Sequence, residues 1–264
     1  TSFKLRYMQL PFVHLHVHSQ YSVLDGQASI SALVDKAMKD GQPGMALTDH
    51  GNMFGIKEFA DASNKYNSKI NDKIKELDKI LKDKKSTDAQ KDDATVEIDL
   101  LKKKLFKPIF GMEAYCAPVS INKREGRADR GYHLILLAKN KQGYKNLCKL
   151  SSIAYIDGLY YNPRIDHSLL EQYHEGLIVC SACLGGELPQ KIMNGDIEGA
   201  EKSLQWFKNL FGEDYYIEIQ RHKTDKPNAD RETFELQQEV NKVLIDLARK
   251  TNTKIVATND VHFV

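Results

Sequence analysis

Short apolar, β-branched runs alternate along the chain with longer segments in which apolar residues recur every three or four positions. The short runs predict strands, and the longer segments predict amphipathic helices. This alternation is typical of parallel βαβ units. The predicted strands are Pro11–His18, Gly44–Asp49, Pro108–Tyr115, Tyr132–Ala138, Gly176–Ser181, Tyr215–Gln220 and Lys254–Thr258. The predicted helices are Ile30–Lys39, Lys141–Ala154, Ile197–Leu210 and Asp230–Lys250.

Seven such units predict an α/β fold, a distorted seven-stranded barrel close to the TIM type. In such a barrel functional side chains gather where the strands end and the loops begin. Polar side chains at strand ends therefore indicate where a site would lie.

The segment Lys65–Lys107 departs from this alternation and is dominated by Lys, Asp and Glu. Two arms nevertheless keep apolar residues four, three and four positions apart. Thr87 lies between the arms and is followed three residues later by Gln90, a capping-box pattern. We predict a helical hairpin inserted between the second and third strands and dispensable for the barrel; the alternative is a disordered charged loop. The arms carry Ile70, Ile74, Leu77 and Leu81, then Ala94, Ile98, Leu101 and Leu105.

Composition limits the class of protein. With 264 residues, 41% hydrophobic and 28% charged, the chain can form one domain over residues 1–264 with a sizeable core. It has no apolar run near the roughly 20 residues that span a bilayer and no signal-peptide pattern, so we expect a cytoplasmic protein and no membrane partner. A net charge of +2 means that contact with nucleic acid needs a local basic patch or regions outside this chain.

Three histidines alternate in the first predicted strand. Side chains two apart on a strand share a face, so we expect His14, His16 and His18 on one side. Burying neighbouring imidazoles without partners is costly, whereas a divalent cation accepts their lone pairs. The pattern therefore favours a metal site, although a His-x-His pair alone is only a moderate indication.

Metal-competent side chains also accompany most other predicted strands, usually at the end that forms the mouth of a barrel. Each has a structural explanation when taken singly, such as helix capping, but their joint placement favours one site. His133 is an exception because it comes at the start of its strand. His167 and His174 lack this placement, and we expect them on the surface. The full set, with His133 as the exception in position, is Asp49, His50, Glu113, His133, Cys183, Asp260 and His262.

Cys180 and Cys183 form a C-x-x-C, which could indicate a redox pair or half of a structural zinc site. No second C-x-x-C completes a zinc ribbon, and a redox motif should lie near the first strand of its fold. We expect Cys183 to serve as a soft ligand and Cys180 to pack in the core.

Several strings resemble the motifs of the PHP (polymerase and histidinol phosphatase) superfamily. They are His14-Leu15-His16-Val17-His18-Ser19, Leu47-Thr48-Asp49-His50-Gly51, Gly111-Met112-Glu113-Ala114-Tyr115, Cys183-Leu184-Gly185-Gly186-Glu187 and Asn259-Asp260-Val261-His262. Two more resemble the N-terminal PHP domain of bacterial DNA polymerase III alpha subunits: Tyr21-Ser22-Val23-Leu24-Asp25-Gly26 and Ile217-Glu218-Ile219-Gln220-Arg221-His222. The resemblance covers almost the whole chain apart from the hairpin.

This resemblance implies two or three divalent metal ions in a phosphoesterase site. Mixed imidazole, carboxylate and thiolate ligation favours zinc, manganese or iron. Many family members carry an acid at His14, which makes His14 a candidate for the layer behind the ligands. Cys183 replaces a histidine common in the phosphatases and favours the polymerase branch. The implied ligands are His16, His18, Asp25, His50, Glu113, His133, Cys183, Asp260 and His262.

Among these, Glu113 and Asp260 are expected to be catalytic. Arg221, just past the sixth strand, is a candidate phosphate contact, with a structural ion pair as the alternative.

The leading hypothesis is the N-terminal PHP domain of a replicative polymerase, with a possible 3′→5′ exonuclease proofreading activity. The implied partners are DNA, the remaining polymerase domains (palm, fingers and thumb, expected beyond this fragment), a proofreading exonuclease subunit and other replisome subunits. One alternative is a free-standing phosphatase of the histidinol-phosphatase kind, which is disfavoured because the chain stops just after Asp260-Val261-His262, as expected of a fragment. A second is a metal-stabilised scaffold without activity that docks an exonuclease subunit.

Overall fold

The computed structural model describes residues 12–224 and 232–264. Within these ranges the chain forms an α/β fold with seven strands: β1 (Gly44–Leu47), β2 (Lys107–Cys116), β3 (Tyr132–Ala138), β4 (Arg164–Ile165), β5 (Leu177–Cys180), β6 (Tyr215–Gln220) and β7 (Lys254–Thr258). The helices are α1 (Ile30–Lys39), α2 (Ile56–Lys82), α3 (Asp88–Lys102), α4 (Lys141–Ile156), α5 (His167–Tyr173), α6 (Glu187–Met193), α7 (Ile197–Phe211) and α8 (Glu232–Thr251). None of the helices in these ranges is both long and apolar enough to cross a lipid bilayer.

The strands form one curled sheet in the order β1-β2-β3-β5-β6-β7, with β4 paired to β2. The pairs β1–β2, β5–β6 and β6–β7 are parallel. The prediction of parallel units is wrong for β3, which runs antiparallel to both β2 and β5. A parallel return needs a crossover of a dozen or more residues, usually a helix. The β2–β3 connection contains only a 3-10 turn, Arg127–Arg130.

The predicted first strand, Pro11–His18, is not a regular strand in its described part. Residues 12–18, here called the closing segment, make isolated parallel bridges from His14 to Met45 on one side and from Val17 to Val261 on the other. A bend at His16 separates the two bridges. The closing segment thus joins β1 to the chain that follows β7, and it closes the sheet into a barrel.

Most predicted bounds agree with the structure. Four elements match at both ends: Ile30–Lys39, Tyr132–Ala138, Tyr215–Gln220 and Lys254–Thr258. Apart from the closing segment, the other predicted strands and helices differ by no more than two residues at their described ends, while Asp230, the predicted start of the last helix, lies outside the described residues. β4 and α6 were missed because each is too short to show a period.

Apolar side chains separate the barrel from its helices. The largest buried group lies between the sheet and the helices from α4 to α8, with Leu147 and Leu204 fully buried. A second group packs α1 and α2 on β1 around Phe59. The barrel interior holds a small apolar group that includes Ile135 and Cys180. Buried polar side chains gather instead at the edge where the parallel strands end.

Helices α2 and α3 form the predicted hairpin. The capping box is confirmed. The hydroxyl of Thr87 accepts from the backbone N–H of Gln90, and the side-chain oxygen of Gln90 accepts from the backbone N–H of Thr87. α2 begins at Ile56, well before the predicted start at Lys65, because its first turns pack on the barrel. The base of the hairpin also belongs to the core, since Phe106 is 2% exposed.

Candidate metal centre

All nine predicted ligands lie at the edge of the barrel where the parallel strands end. His133 starts its strand and still reaches this edge because β3 runs antiparallel to β2. Direct contacts link the nine side chains into one cluster. His16 and His18 come from the closing segment, Asp25 from the turn after it, His50 from the loop after β1, Glu113 from β2, His133 from β3, Cys183 from the loop after β5, and Asp260 and His262 from the loop after β7.

Glu113 is at the centre of the cluster and is fully buried. Its Oε1 lies 3.2 Å from Nε2 of His16 and 2.9 Å from Nδ1 of His133. Its Oε2 accepts a short hydrogen bond from Nδ1 of His50 and lies 3.9 Å from Nε2 of His18. One carboxylate therefore faces four imidazoles, two through each oxygen.

Asp260 faces the histidine pair from the other side. Its Oδ1 lies 3.1 Å from Nε2 of His16 and 3.2 Å from Nε2 of His18, while the two Nε2 atoms are 3.1 Å apart. Although buried, this oxygen has no hydrogen-bond partner in the part of the chain that the structure describes. Asp260 also has a φ of 49°, an uncommon conformation for a residue that is not glycine. In this backbone conformation the carboxylate of Asp260 is directed at His16 and His18.

The neighbours of the two histidines assign their protons. Nδ1 of His16 lies 2.7 Å from the carboxylate of Glu218, so it donates there. Nδ1 of His18 lies 2.9 Å from Oγ of Ser22, whose proton goes to Asp49 at 2.8 Å. Nδ1 is therefore a donor in both rings, and both Nε2 atoms face Asp260.

Two imidazole nitrogens and a buried carboxylate oxygen lie this close only if a positive charge lies among them, either protons on the rings or a bound cation. A divalent cation accepts all three and satisfies the otherwise unsatisfied oxygen of Asp260. The residues present therefore fit a divalent metal. Ligand atoms gather within 4.8 Å of one another in three groups: His16, His18 and Glu113; His18, His50 and His262; and Glu113, His133 and Cys183.

The charges of the cluster shift several pKa values. Burial lowers the pKa of His50, but Glu113 and Asp25 outweigh burial and raise that pKa to about 9. Burial raises the pKa of Asp260, but His18 and His16 outweigh it and lower that pKa to about 2. Asp260 is thus an anion over the whole physiological range, as a metal ligand must be.

Cys183 completes the group on the β3 side. Its Sγ lies 3.5 Å from Nδ1 of His133 and 3.9 Å from Oε1 of Glu113. Burial, Glu113 and Asp260 raise the pKa of the Cys183 thiol well above its usual value. A cation bound in this group would oppose those effects and favour the thiolate.

Sequence reasoning missed the residues behind the ligands, above all Glu218. This fully buried carboxylate holds His16 and also accepts from Gln220 at 3.0 Å and from Thr258. The available signal was an acid at an inward position of the apolar strand β6, where Ile217 and Ile219 point outward. Asp49, one of the metal-competent side chains predicted at strand ends, lies behind the ligands on the other side, where it accepts from the backbone and hydroxyl of Ser19.

Some expectations about individual residues are wrong. His14 does not share a face with His16 and His18, because the bend at His16 turns its ring toward Phe12 and into a groove beside Lys36. It therefore cannot form part of the layer behind the ligands. His167 is half-buried rather than on the surface, and it stacks on Trp206 with ring centroids 3.8 Å apart.

Other residues lie as follows. His174 ends α5 and bonds the carbonyl of Glu171. Cys180 is buried in the barrel interior, as predicted. Arg221 is exposed just after β6, with its guanidinium 5.9 Å from the ring centroid of Phe234.

Known proteins resemble this chain across nearly its whole length. The family model described as PHP domain matches residues 14–222. DNA polymerase III subunit alpha of Borreliella burgdorferi is 41% identical over 256 residues, which cover 96% of this chain and 18% of that protein. The same subunit of Treponema pallidum is 40% identical over 260 residues, covering 97% of this chain and 18% of that protein. The chain therefore spans less than a fifth of these relatives.

A solved amidohydrolase from Chromobacterium violaceum aligns with a TM-score of 0.47 and 12% identity, covering 95% of this chain and 87% of that chain.

Proposed function

Because this chain belongs to the PHP domain family, we propose that its nine-residue cluster binds two or three divalent metal ions and hydrolyses phosphoesters. The observation that carries the proposal is the position of Glu113, whose two oxygens face the donor groups on both sides. Nitrogen, oxygen and sulfur donors together favour zinc, manganese or iron over calcium or magnesium.

When bound, such ions polarise a phosphoryl oxygen and make a coordinated water acidic near neutral pH. The protein supplies the arrangement. Glu113 belongs to two of the three ligand groups, the one with His16 and His18 and the one with His133 and Cys183. Asp260 supplies an anionic oxygen between His16 and His18. Glu218 fixes the tautomer of His16, which keeps the Nε2 lone pair directed into the site.

Arg221 is the proposed phosphate contact at the rim. It follows β6 at the same edge, and the neighbouring His222 bonds the carbonyl of Asn259 at 2.8 Å. This bond places the turn that carries Arg221 beside Asp260. The exposed guanidinium can therefore meet a nonbridging oxygen of a substrate held at the cluster.

The proposed substrate is the 3′ end of DNA, and the proposed context is a replicative polymerase. The support is the similarity to DNA polymerase III alpha subunits over 96–97% of the chain. On this proposal the chain is the PHP domain of such a subunit, with a 3′→5′ exonuclease proofreading activity. Its partners would be DNA, the other polymerase domains, a proofreading exonuclease subunit and further replisome subunits.

A second proposal is a structural role for the same metals. The closing segment meets both neighbours only through isolated bridges, yet it carries His16 and His18. Ions shared with Glu113 on β2 and Asp260 after β7 would fasten this weakly paired segment to the barrel. On that proposal the domain hydrolyses nothing, and it docks an exonuclease subunit.

Elemental analysis together with a nuclease assay separates these proposals. The purified chain is measured for zinc, manganese and iron, then assayed for release of nucleotides from the 3′ end of single-stranded DNA. The assay is repeated after chelation and after each metal is restored. We expect bound metal and activity that chelation removes and metal restores.

The matched variants are Glu113→Ala and Glu239→Ala, the second being an exposed acid on α8. Both are purified identically to the parent, which controls for a contaminating nuclease. Equal activity in the parent and in Glu113→Ala would reject the catalytic role. Metal without hydrolysis, with a melting temperature that falls on chelation, would support the scaffold. Preference for small phosphate monoesters over DNA would favour a free-standing phosphatase.

A further inference from the structure

An exposed group of aromatic side chains flanks the metal cluster on the side of His50. Phe54 is 61% exposed and Tyr161 is 65% exposed. The ring of Phe54 lies 5.7 Å from that of Tyr155, and the guanidinium of Arg130 lies 4.8 Å from the ring centroid of Tyr161. We call Phe54, Arg130, Tyr155 and Tyr161 the aromatic face. Contiguous exposed apolar surface marks interaction sites in soluble proteins.

The aromatic face is fixed beside the cluster by close packing. Gly51 follows His50, and a Cβ added there would lie 2.6 Å from Pro163 and 3.2 Å from the ring of Tyr115. The same Tyr115 ring contacts His133 edge-on at 5.2 Å. The loop of Tyr161 and Pro163 is therefore in van der Waals contact with the rim of the site.

A buried arginine holds the face in place. Arg164 is fully buried, and its guanidinium donates to the carbonyls of Lys123, Asp129 and Ile121 at 2.6–2.9 Å. Its Nε donates to the carbonyl of Gly158 at 3.0 Å. This one side chain ties the loop that carries Arg130 to the loop that carries Tyr161.

Tyr161 itself has a φ of 59°, which is unfavourable for a bulky residue. Its ring nevertheless remains mostly exposed with Arg130 stacked on it. The surrounding loops therefore present the ring outward at a cost in backbone energy.

The charge beside the rings identifies the class of ligand. Between residues 123 and 130 the loop carries four cationic and two acidic side chains. One of the acids, Asp129, is buried and accepts from the backbone N–H of Glu125 within the same loop. Rings that offer stacking surfaces beside exposed arginines are the combination that binds single-stranded nucleic acid.

We propose that the aromatic face binds single-stranded DNA by stacking its bases on Tyr161 and Phe54 while Arg130 contacts the backbone, so that the strand's end reaches the metal cluster. This inference rests on the proposed phosphoesterase function and adds the surface that selects a single strand. The net charge of the chain is only +2, so DNA would be bound through this local patch.

The test is fluorescence anisotropy with the 264-residue chain and two labelled phosphorothioate strands of equal length, one of thymidines and one abasic. Phosphorothioate linkages slow hydrolysis during the measurement. Tyr161→Ala and Phe54→Ala should each weaken binding of the thymidine strand by about fivefold or more and leave the abasic strand unchanged. Arg130→Ala should weaken both strands.

Matched controls separate the aromatic face from general effects. Tyr161→Phe keeps the ring and should bind like the parent. Arg249→Ala removes an exposed arginine on α8 that pairs with Asp246, and it should also bind like the parent. Equal affinity of the parent and Tyr161→Ala for the thymidine strand would overturn the proposal, as would equal affinity of the parent for the two strands.

A small phosphodiester that lacks a neighbouring base, bis(4-nitrophenyl) phosphate, tests the metal cluster separately. Its hydrolysis should be lost in Glu113→Ala and unchanged in Arg249→Ala, because that substrate needs only the cluster. If the diester is hydrolysed but Tyr161→Ala leaves DNA binding intact, the aromatic face is rejected and the phosphoesterase stands. If the diester is not hydrolysed but DNA binding falls, the phosphoesterase fails and the aromatic face stands.

Discussion

The carboxylate of Glu218 lies 2.7 Å from Nδ1 of His16, and both side chains are fully buried. Glu218 therefore orients a metal-competent histidine without reaching the cluster centre itself. A carboxylate behind a histidine ligand fixes its tautomer and strengthens its basicity. The other oxygen of Glu218 is buried and has no hydrogen-bond partner among residues 12–224 and 232–264.

Substitution of Glu218 should weaken metal binding. Glu218→Gln keeps an acceptor for His16 but removes the negative charge, so we expect about a tenfold loss of zinc affinity. Glu218→Leu removes the acceptor and the charge, so we expect a loss of zinc affinity that approaches about 100-fold. Competition with a fluorescent chelator measures the affinity. The control is Glu213→Gln, an exposed acid paired with Lys254. Unchanged affinity in Glu218→Leu would contradict this role.

Asp260→Asn should abolish hydrolysis, with a loss of at least about 100-fold, because it removes the anionic oxygen between two histidine ligands. The other ligands remain, so the thermal midpoint of the metal-loaded variant should fall only modestly. Hydrolysis of single-stranded DNA and a thermal melt of the same sample measure both effects. Asp246→Asn, at a site whose side chain is 77% exposed, is the control. Residual activity near that of the control would show that Asp260 is not needed for the chemistry.

The outer part of the hairpin should be dispensable. Replacing residues 70–103 with a short Gly-Ser linker should leave metal content and the free energy of unfolding nearly unchanged, because surface insertions between close ends cost little. Removal of all of Lys65–Lys107, in contrast, should unfold the barrel. That range includes Phe106, and it includes Asn67, whose side chain bonds the backbone of Phe106 at both N–H and carbonyl.

Urea unfolding of Phe106→Ala tests whether the base of the hairpin belongs to the core. We expect it to lower the free energy of unfolding by about 3–5 kcal/mol, as for a buried aromatic residue cut to alanine. A near-neutral effect would show that the base of the hairpin is not part of the core. Loss of folding when only residues 70–103 are replaced would show that the tip packs on the barrel.

Glu187 should make the fold sensitive to acid. Burial raises its pKa, but His167, Lys191 and Ser203 outweigh burial and lower the pKa to about 2, from an ordinary value of 4.5. Because the folded-state pKa is the lower one, this stabilisation is present above about pH 4.5 and is lost as the pH falls toward 2.

Glu187→Gln should therefore lower the free energy of unfolding by roughly 3 kcal/mol at pH 7 and by much less near pH 2. Denaturant titrations at several pH values measure both, with Glu198→Gln, an exposed acid on α7, as the control. Parallel pH profiles for the parent and Glu187→Gln would contradict the assignment.

The sequence by itself determined most of the longer elements and which of their ends carry chemistry. A strand or a helix shows its period within a few turns of chain, so Ile30–Lys39 and Tyr215–Gln220 could be placed at both ends. The clustering of His50, Glu113 and Asp260 followed from their positions near strand ends, since those ends share one edge of a barrel. Local pattern was sufficient wherever the information lay within one element.

The tertiary structure alone decided the relations between elements. The direction of β3 depends on its neighbours, and this direction explains why His133 reaches the site from the start of a strand. The bend at His16 separates His14 from the cluster, although the alternation of histidines predicted a shared face. Glu218 is far from His16 in sequence, and only the closed barrel brings them to 2.7 Å. Alternation along one segment fixes side-chain direction only while that segment is a regular strand, and contacts across the barrel depend on how all the strands pack.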